Sequence, residues 1–316
     1  MVSALASRIA HAVTQADGSE MTASFPCGRR WLRLFAFIPL ATLTTLLTFV
    51  VLAIVGELVP ALGAQMFNLG ERIEDTPLRL LEEGYRTLTF GAAVGLIAFS
   101  LLVTAAVTWR MPLKAFLWPG RRFDLKLFGL GIVTMIAIST LWIPLSLATG
   151  SEWRPPVFDT YYVEHTRFIY VITMGGALLA GAAAEEVVCR GVLLRVSALI
   201  TRRSLLLCLI NGLVFSAVHL DPDPVSFLQR TLAGMGWTWA ALRLGGLEFA
   251  IGAHFANNLF ITLIWSPISA ATQSQEVPWF AVVPELITTA IVVVVVELLA
   301  RGRHPRLPDA AEPQAA

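Results

Sequence analysis

Eight long apolar runs constrain this chain more than any other feature. They cover residues 34–55, 88–108, 127–148, 168–200, 204–220, 225–242, 247–265 and 280–300, and most come near the roughly 20 residues that span a bilayer core as helix. The expected fold class is therefore all-α: a polytopic membrane bundle of about eight transmembrane helices. Composition points the same way, with 56% of the 316 residues hydrophobic and 14% charged and a mean hydropathy of +0.70, too apolar for a soluble domain. A formal charge of +1 offers no basic face for nucleic acid and no acidic tail for a basic partner.

The first run is too long for a signal-peptide core and lacks a small-residue cleavage site, so it reads as a retained helix. Before it, residues 1–30 form a polar tail expected to be disordered or loosely helical. Loop charges set the orientation. Arg29, Arg30 and Arg33, then Arg110, Lys114, Arg121, Arg122 and Lys126, then Arg202 and Arg203, and finally Arg301, Arg303 and Arg306 fall in alternate loops, while the loops between them are acidic or nearly neutral. Both termini are expected in the cytoplasm, with the protein in the plasma (inner) membrane if the chain is prokaryotic. Trp118, Trp142, Trp153, Trp265 and Trp279 lie near expected helix ends, as in an interfacial belt. The acidic stretch 57–86 reads as an amphipathic surface helix or a substrate gate. The expected division is a tail (1–30), three helices (31–167), a four-helix core (168–267), a last helix (268–303) and a disordered tail (304–316). Cys27, Cys189 and Cys208 make neither a disulfide framework nor a zinc spacing.

Ionisable groups in hydrocarbon cost at least a few kcal/mol each, and those that remain usually serve a polar interior. Here they cluster. The fourth run carries Glu185, Glu186 and Arg190, the fifth ends in Phe215 and His219, and the seventh carries His254, Asn257 and Asn258. Helical geometry puts Glu186 and Arg190 at i and i+4, within ion-pair reach, while Glu185 points about 100 degrees away. At about 1.5 Å per residue, Glu185 and His219 both lie roughly 20 Å from the same membrane face, so they can meet. His254 and Asn258 share a face at a compatible depth. A carboxylate in this setting can act as general base on water, with His219 sharing the water or proton; His254 and Asn258 would donate hydrogen bonds to a tetrahedral oxyanion.

The paired glutamates with an arginine four residues after the second, then Phe-x-x-x-His, then His-x-x-x-Asn, each on its own apolar helix, resemble the CPBP (Abi) family. These are intramembrane proteases that include the type 2 CAAX prenyl endopeptidases. The resemblance covers about residues 175–264. It implies an endopeptidase acting on a membrane protein or peptide, with Glu185 activating water and Glu186, His219, His254 and Asn258 around it. Cys189 departs from the aromatic residue usual before the arginine, a change of packing that leaves the set intact. The family's description as metalloproteases raises zinc on Glu185, His219 and His254; with no His-Glu-x-x-His spacing and Arg190 as countercharge, catalysis without a cofactor is favoured.

Structural alternatives stand beside each assignment. Glu185, Glu186 and Arg190 also suit an ion-pair network, His219 a helix cap, and His254 with Asn258 interhelical glue. Phe215 is expected to pack under His219, and Gly234 and Gly236 to permit close helix contact. Arg230 and Glu248 read as snorkelling interfacial charges. A non-catalytic scaffold or immunity protein and a proton-coupled transporter are the rival functions; no internal repeat supports the latter.

Overall fold

The computed structural model describes residues 2–23, 30–59, 61–63, 73–148, 153–265 and 277–301. Cys27, positions 64–72 of the acidic stretch, and the tail 304–316 lie outside the described residues. All regular structure among them is helical. An amino-terminal helix, α1 (Val2–Asp17), precedes α2 (Arg30–Leu58), α3 (Arg79–Trp109) and α4 (Leu125–Ala148). Then come α5 (Glu164–Ser197), α6 (Ser204–Ala217), α7 (Pro224–Leu244), α8 (Glu248–Phe260, continuing into a π-helical turn Ile261–Trp265) and α9 (Val282–Arg301).

Each of the eight apolar runs coincides with one of α2 to α9. Five helices, Trp31–Leu58, Arg79–Trp109, Leu125–Leu145, Glu164–Ser197 and Trp279–Arg301, are long and apolar enough to cross a membrane. The chain is an integral, multi-pass membrane protein. Of the eight spanning helices expected, these five reach that length and apolarity among the described residues. The exceptions have physical reasons: α6 is apolar but has only 14 residues, α7 carries Gln229, Arg230 and Arg243, and α8 has 13 residues and a polar motif. Those two helices sit inside the bundle, where Trp237, Ala240, Ala241, Phe249, Ala250 and Ala253 form its core.

Helices approach closely where glycine leaves room, as membrane packing requires in the absence of a hydrophobic drive between helices. A Cβ on Gly252 of α8 would strike the backbone of Phe128 in α4, and one on Gly131 the backbone of Phe249. At the α6–α7 crossing a Cβ on Gly234 would lie 2.9 Å from the Cα of Gly212. On the outer side, α2 joins α3 through hydroxyl pairs, Thr44 with Thr104 at 3.0 Å and Thr48 with Ser100 at 2.7 Å. Trp142 turns inward and donates to Thr288 of α9 at 3.0 Å.

Two expectations are corrected. The amino-terminal tail is a docked helix: Ala16 and Met21 are fully buried, Asp17 accepts the Ser204 amide at 2.6 Å, and Gln15 accepts from Arg243 at 2.9 Å. The acidic stretch is not one separate surface helix, because residues from Arg79 onward extend α3, with Arg79 and Glu83 paired at 3.5 Å one turn apart.

Gly252→Ala is expected to destabilise the protein by about 1–3 kcal/mol through overpacking against α4. Gly129→Ala, where a Cβ meets nothing within 4 Å, should leave the melting temperature in detergent unchanged or slightly higher.

Candidate active site

Glu185, Glu186 and Arg190 enter from α5, His254 from α8, and His219 from the turn that follows α6. Immediately after the two glutamates α5 widens into a π-helical segment, Val187–Leu193, a distortion frequent at functional sites. Even so, Arg190 donates to Glu186 Oε1 at 2.9 Å across one turn, and neither side chain has any exposure. Around the guanidinium the remaining donors are used: Nη2 donates to the Gly234 carbonyl at 2.9 Å and Nε to Thr238 at 3.3 Å. Its face lies over Phe215, 4.6 Å from the ring centre, a cation–π contact that strengthens where water is excluded.

Glu186 Oε1 also accepts from His254 Nδ1 at 2.9 Å. His219 Nδ1 lies 2.7 Å from the Phe215 carbonyl. A carbonyl can only accept, and a carboxylate paired with arginine accepts, so both imidazoles carry their proton on Nδ1. Both Nε2 atoms then face Glu185, whose Oε2 stands 3.8 Å from that of His219 and 3.7 Å from that of His254. This oxygen is buried without a hydrogen-bond partner among the described residues. The separations are too long for direct hydrogen bonds and of a size that one water spans. Glu185 and His219 remain about a third open, at 33% and 32%, whereas His254 is enclosed.

Aromatic rings fix the imidazoles. Phe215 meets His219 edge-on with centroids 5.0 Å apart, as expected from the sequence. Trp237 stacks on His254 at 4.3 Å and 20°. Trp237, Thr238 and the Gly234 carbonyl were not legible as site components, since an apolar helix rich in glycine and tryptophan reads as packing. Asn258 is one turn beyond His254, half-buried, and accepts from the neighbouring Asn257 amide at 3.2 Å; no hydrogen bond joins it to Glu185 or either histidine among the described residues. Glu248 is corrected from a snorkelling charge to a buried one, bound by Arg121 at 2.5 Å and the Asp124 amide at 3.0 Å.

Zinc needs three close ligands. Among the described residues no three His, Cys, Asp or Glu side chains are grouped to hold a metal ion.

The turn bearing His219 is held on both sides. Arg230 donates to Asp221 at 2.6 Å, and this bond, together with the Asp223 amide, holds the Asp221 carboxyl below its usual range. Asp223 caps α7 by accepting the Ser226 amide at 2.6 Å. Between His219 and Asp221, Leu220 has φ 53°, a left-handed conformation that costs a bulky L-residue about 1–2 kcal/mol.

A carboxylate flanked by two oriented imidazoles, set within a helical membrane bundle, is an arrangement consistent with acid–base chemistry on a bridging water. Residues 167–260 match the family model described as Type II CAAX prenyl endopeptidase Rce1-like, and Glu185, Glu186, Arg190, His219, His254 and Asn258 all fall within that stretch. Uncharacterized protein YyaK of Bacillus subtilis (strain 168) is 23% identical over 165 residues, covering 49% of this chain and 52% of that protein. The chain thus aligns with about half the length of this curated relative. No solved structure matches.

Arg190→Met should cost about 3–5 kcal/mol by stranding the buried Glu186, whereas Glu185→Gln, at a partly open position, should shift stability by less than about 1 kcal/mol. Thermal unfolding of the two variants in detergent checks the contrast.

Proposed function

We propose that this protein is an intramembrane endopeptidase that hydrolyses a peptide bond in a membrane-associated or lipid-modified protein or peptide, using water activated by Glu185. The observation that carries the reading is the placement of Glu185 Oε2 between two Nε2 atoms at 3.8 and 3.7 Å. The membrane setting and the family match over residues 167–260 supply the substrate class.

In this reading a water held between Glu185 and His219 loses its proton to Glu185 as its oxygen bonds to the substrate carbonyl carbon. Negative charge moves to the carbonyl oxygen. His254 donates from Nε2 to that oxyanion, held in place by its Nδ1–H bond to Glu186. Arg190 in turn neutralises Glu186, so the site accepts the substrate without a bare buried anion. When the tetrahedral centre collapses, the carbon–nitrogen bond breaks and the proton held by Glu185 passes to the leaving amine, with His219 sharing the transfer. Asn258 assists from one turn further along α8, where its Oδ1 accepts from Asn257 and its Nδ2 donates towards the oxyanion.

Two expected outcomes test this. Membrane proteomics of cells with wild-type protein against Glu185→Gln at equal abundance should show peptide termini that depend on Glu185; identical profiles would turn the reading towards a scaffold or a proton-coupled transporter, which uptake into proteoliposomes separates. On a peptide spanning such a terminus, Glu185→Gln should lower kcat/KM at least about 100-fold. In the same assay His254→Ala should cost about 100–1,000-fold and Asn258→Ala no more than about tenfold.

A further inference from the structure

The turn after α6 keeps a leucine where its backbone disfavours one. Leu220 follows His219 directly, adopts φ 53°, and is 88% exposed. Glycine or asparagine fits such a position without penalty, so an unforced leucine needs a reason.

The turn itself does not supply one. Its shape is set by bonds that are independent of the leucine side chain: His219 N to Ser216 O at 3.2 Å and Leu220 N to Ala217 O at 3.2 Å, His219 Nδ1 to Phe215 O, and Arg230 to Asp221. At 88% exposure the isobutyl group is not packed into the protein. Anchoring in lipid is disfavoured by its neighbours, since Asp221, Asp223 and the open edges of Glu185 and His219 are polar groups that require water. An apolar side chain on such a surface gains burial only when an apolar group arrives beside it.

We infer that Leu220 is a specificity-determining residue, which takes an apolar group of the substrate next to the scissile bond, either an amino-acid side chain or an attached lipid. This rests on the endopeptidase reading above. The strained turn performs two tasks together: it aims His219 Nε2 at Glu185 and holds Leu220 outward on the substrate side of that imidazole. Val218, two residues before it, is likewise exposed, at 60%.

Leu220→Gly is a clean test, because glycine relieves the backbone while removing the side chain. On a peptide spanning a Glu185-dependent terminus, purified Leu220→Gly should raise KM about tenfold with kcat within about twofold of wild type, and should melt at or above the wild-type temperature. Leu220→Met, which keeps an apolar side chain, should stay within about threefold of wild-type KM. Replacing the apolar residue beside the bond by serine, or removing an attached lipid, should weaken wild-type binding but change Leu220→Gly little; which of the two has this effect names the source. Wild-type KM in Leu220→Gly would overturn the inference, as would a joint loss of kcat and melting temperature, which marks a structural role. If the proteomic comparison yields no Glu185-dependent terminus, the endopeptidase reading fails and this inference with it; if termini exist and Leu220→Gly behaves as wild type, only this inference fails.

Discussion

Glu186, Arg190 and His254 form a charged network with almost no access to solvent, and the rest of the bundle is arranged around the need to satisfy it. A carboxylate in that position would be costly alone. Arg190 neutralises it from one turn away on α5, His254 of α8 donates to the same oxygen, and α7 answers the guanidinium with the Gly234 carbonyl and the Thr238 hydroxyl. Three helices are thus tied at one point. The close α6–α7 crossing at Gly212 and Gly234 follows from the same requirement, because a side chain at Gly234 would crowd the guanidinium that its carbonyl holds.

Such a network explains why α7 and α8 are less apolar than the helices around them. They are buried by protein, so they can carry His254, Asn257, Asn258 and Glu248 without presenting them to lipid. The outer helices α2, α3, α4, α5 and α9 supply the apolar surface. Beside this closed network stands its partly open neighbour: Glu185 and His219 are about a third exposed, while Glu186 and Arg190 are fully enclosed. Adjacent glutamates, pointed to different sides of one helix, therefore play different parts, one as the reactive carboxylate of the proposed mechanism and the other as the fixed acceptor that orients His254.

Much of this was legible from residue spacing. The i, i+4 relation of Glu186 and Arg190 anticipates their ion pair, and helix rise anticipates that Glu185 and His219 meet at one depth; the 3.8 Å separation bears that out. Phe215 under His219 was equally readable. Asn258 shares a face with His254 as the spacing anticipates, and its Oδ1 accepts from the neighbouring Asn257 amide. Glu248 was misread, since its partner Arg121 is remote in sequence and no local pattern announces it.

By itself the sequence determined the membrane class, the helical elements and the identity of the charged residues that must find one another, because hydrocarbon length, helical period and the cost of buried charge are properties of short segments. Only the tertiary structure decided which nitrogen of each imidazole faces Glu185, that Trp237 stacks on His254, that α1 docks on α6 and α7, and that Leu220 stands in a left-handed turn. Those features depend on contacts between helices far apart in the chain, and on backbone departures such as the π-helical segment of α5, which residue spacing does not encode.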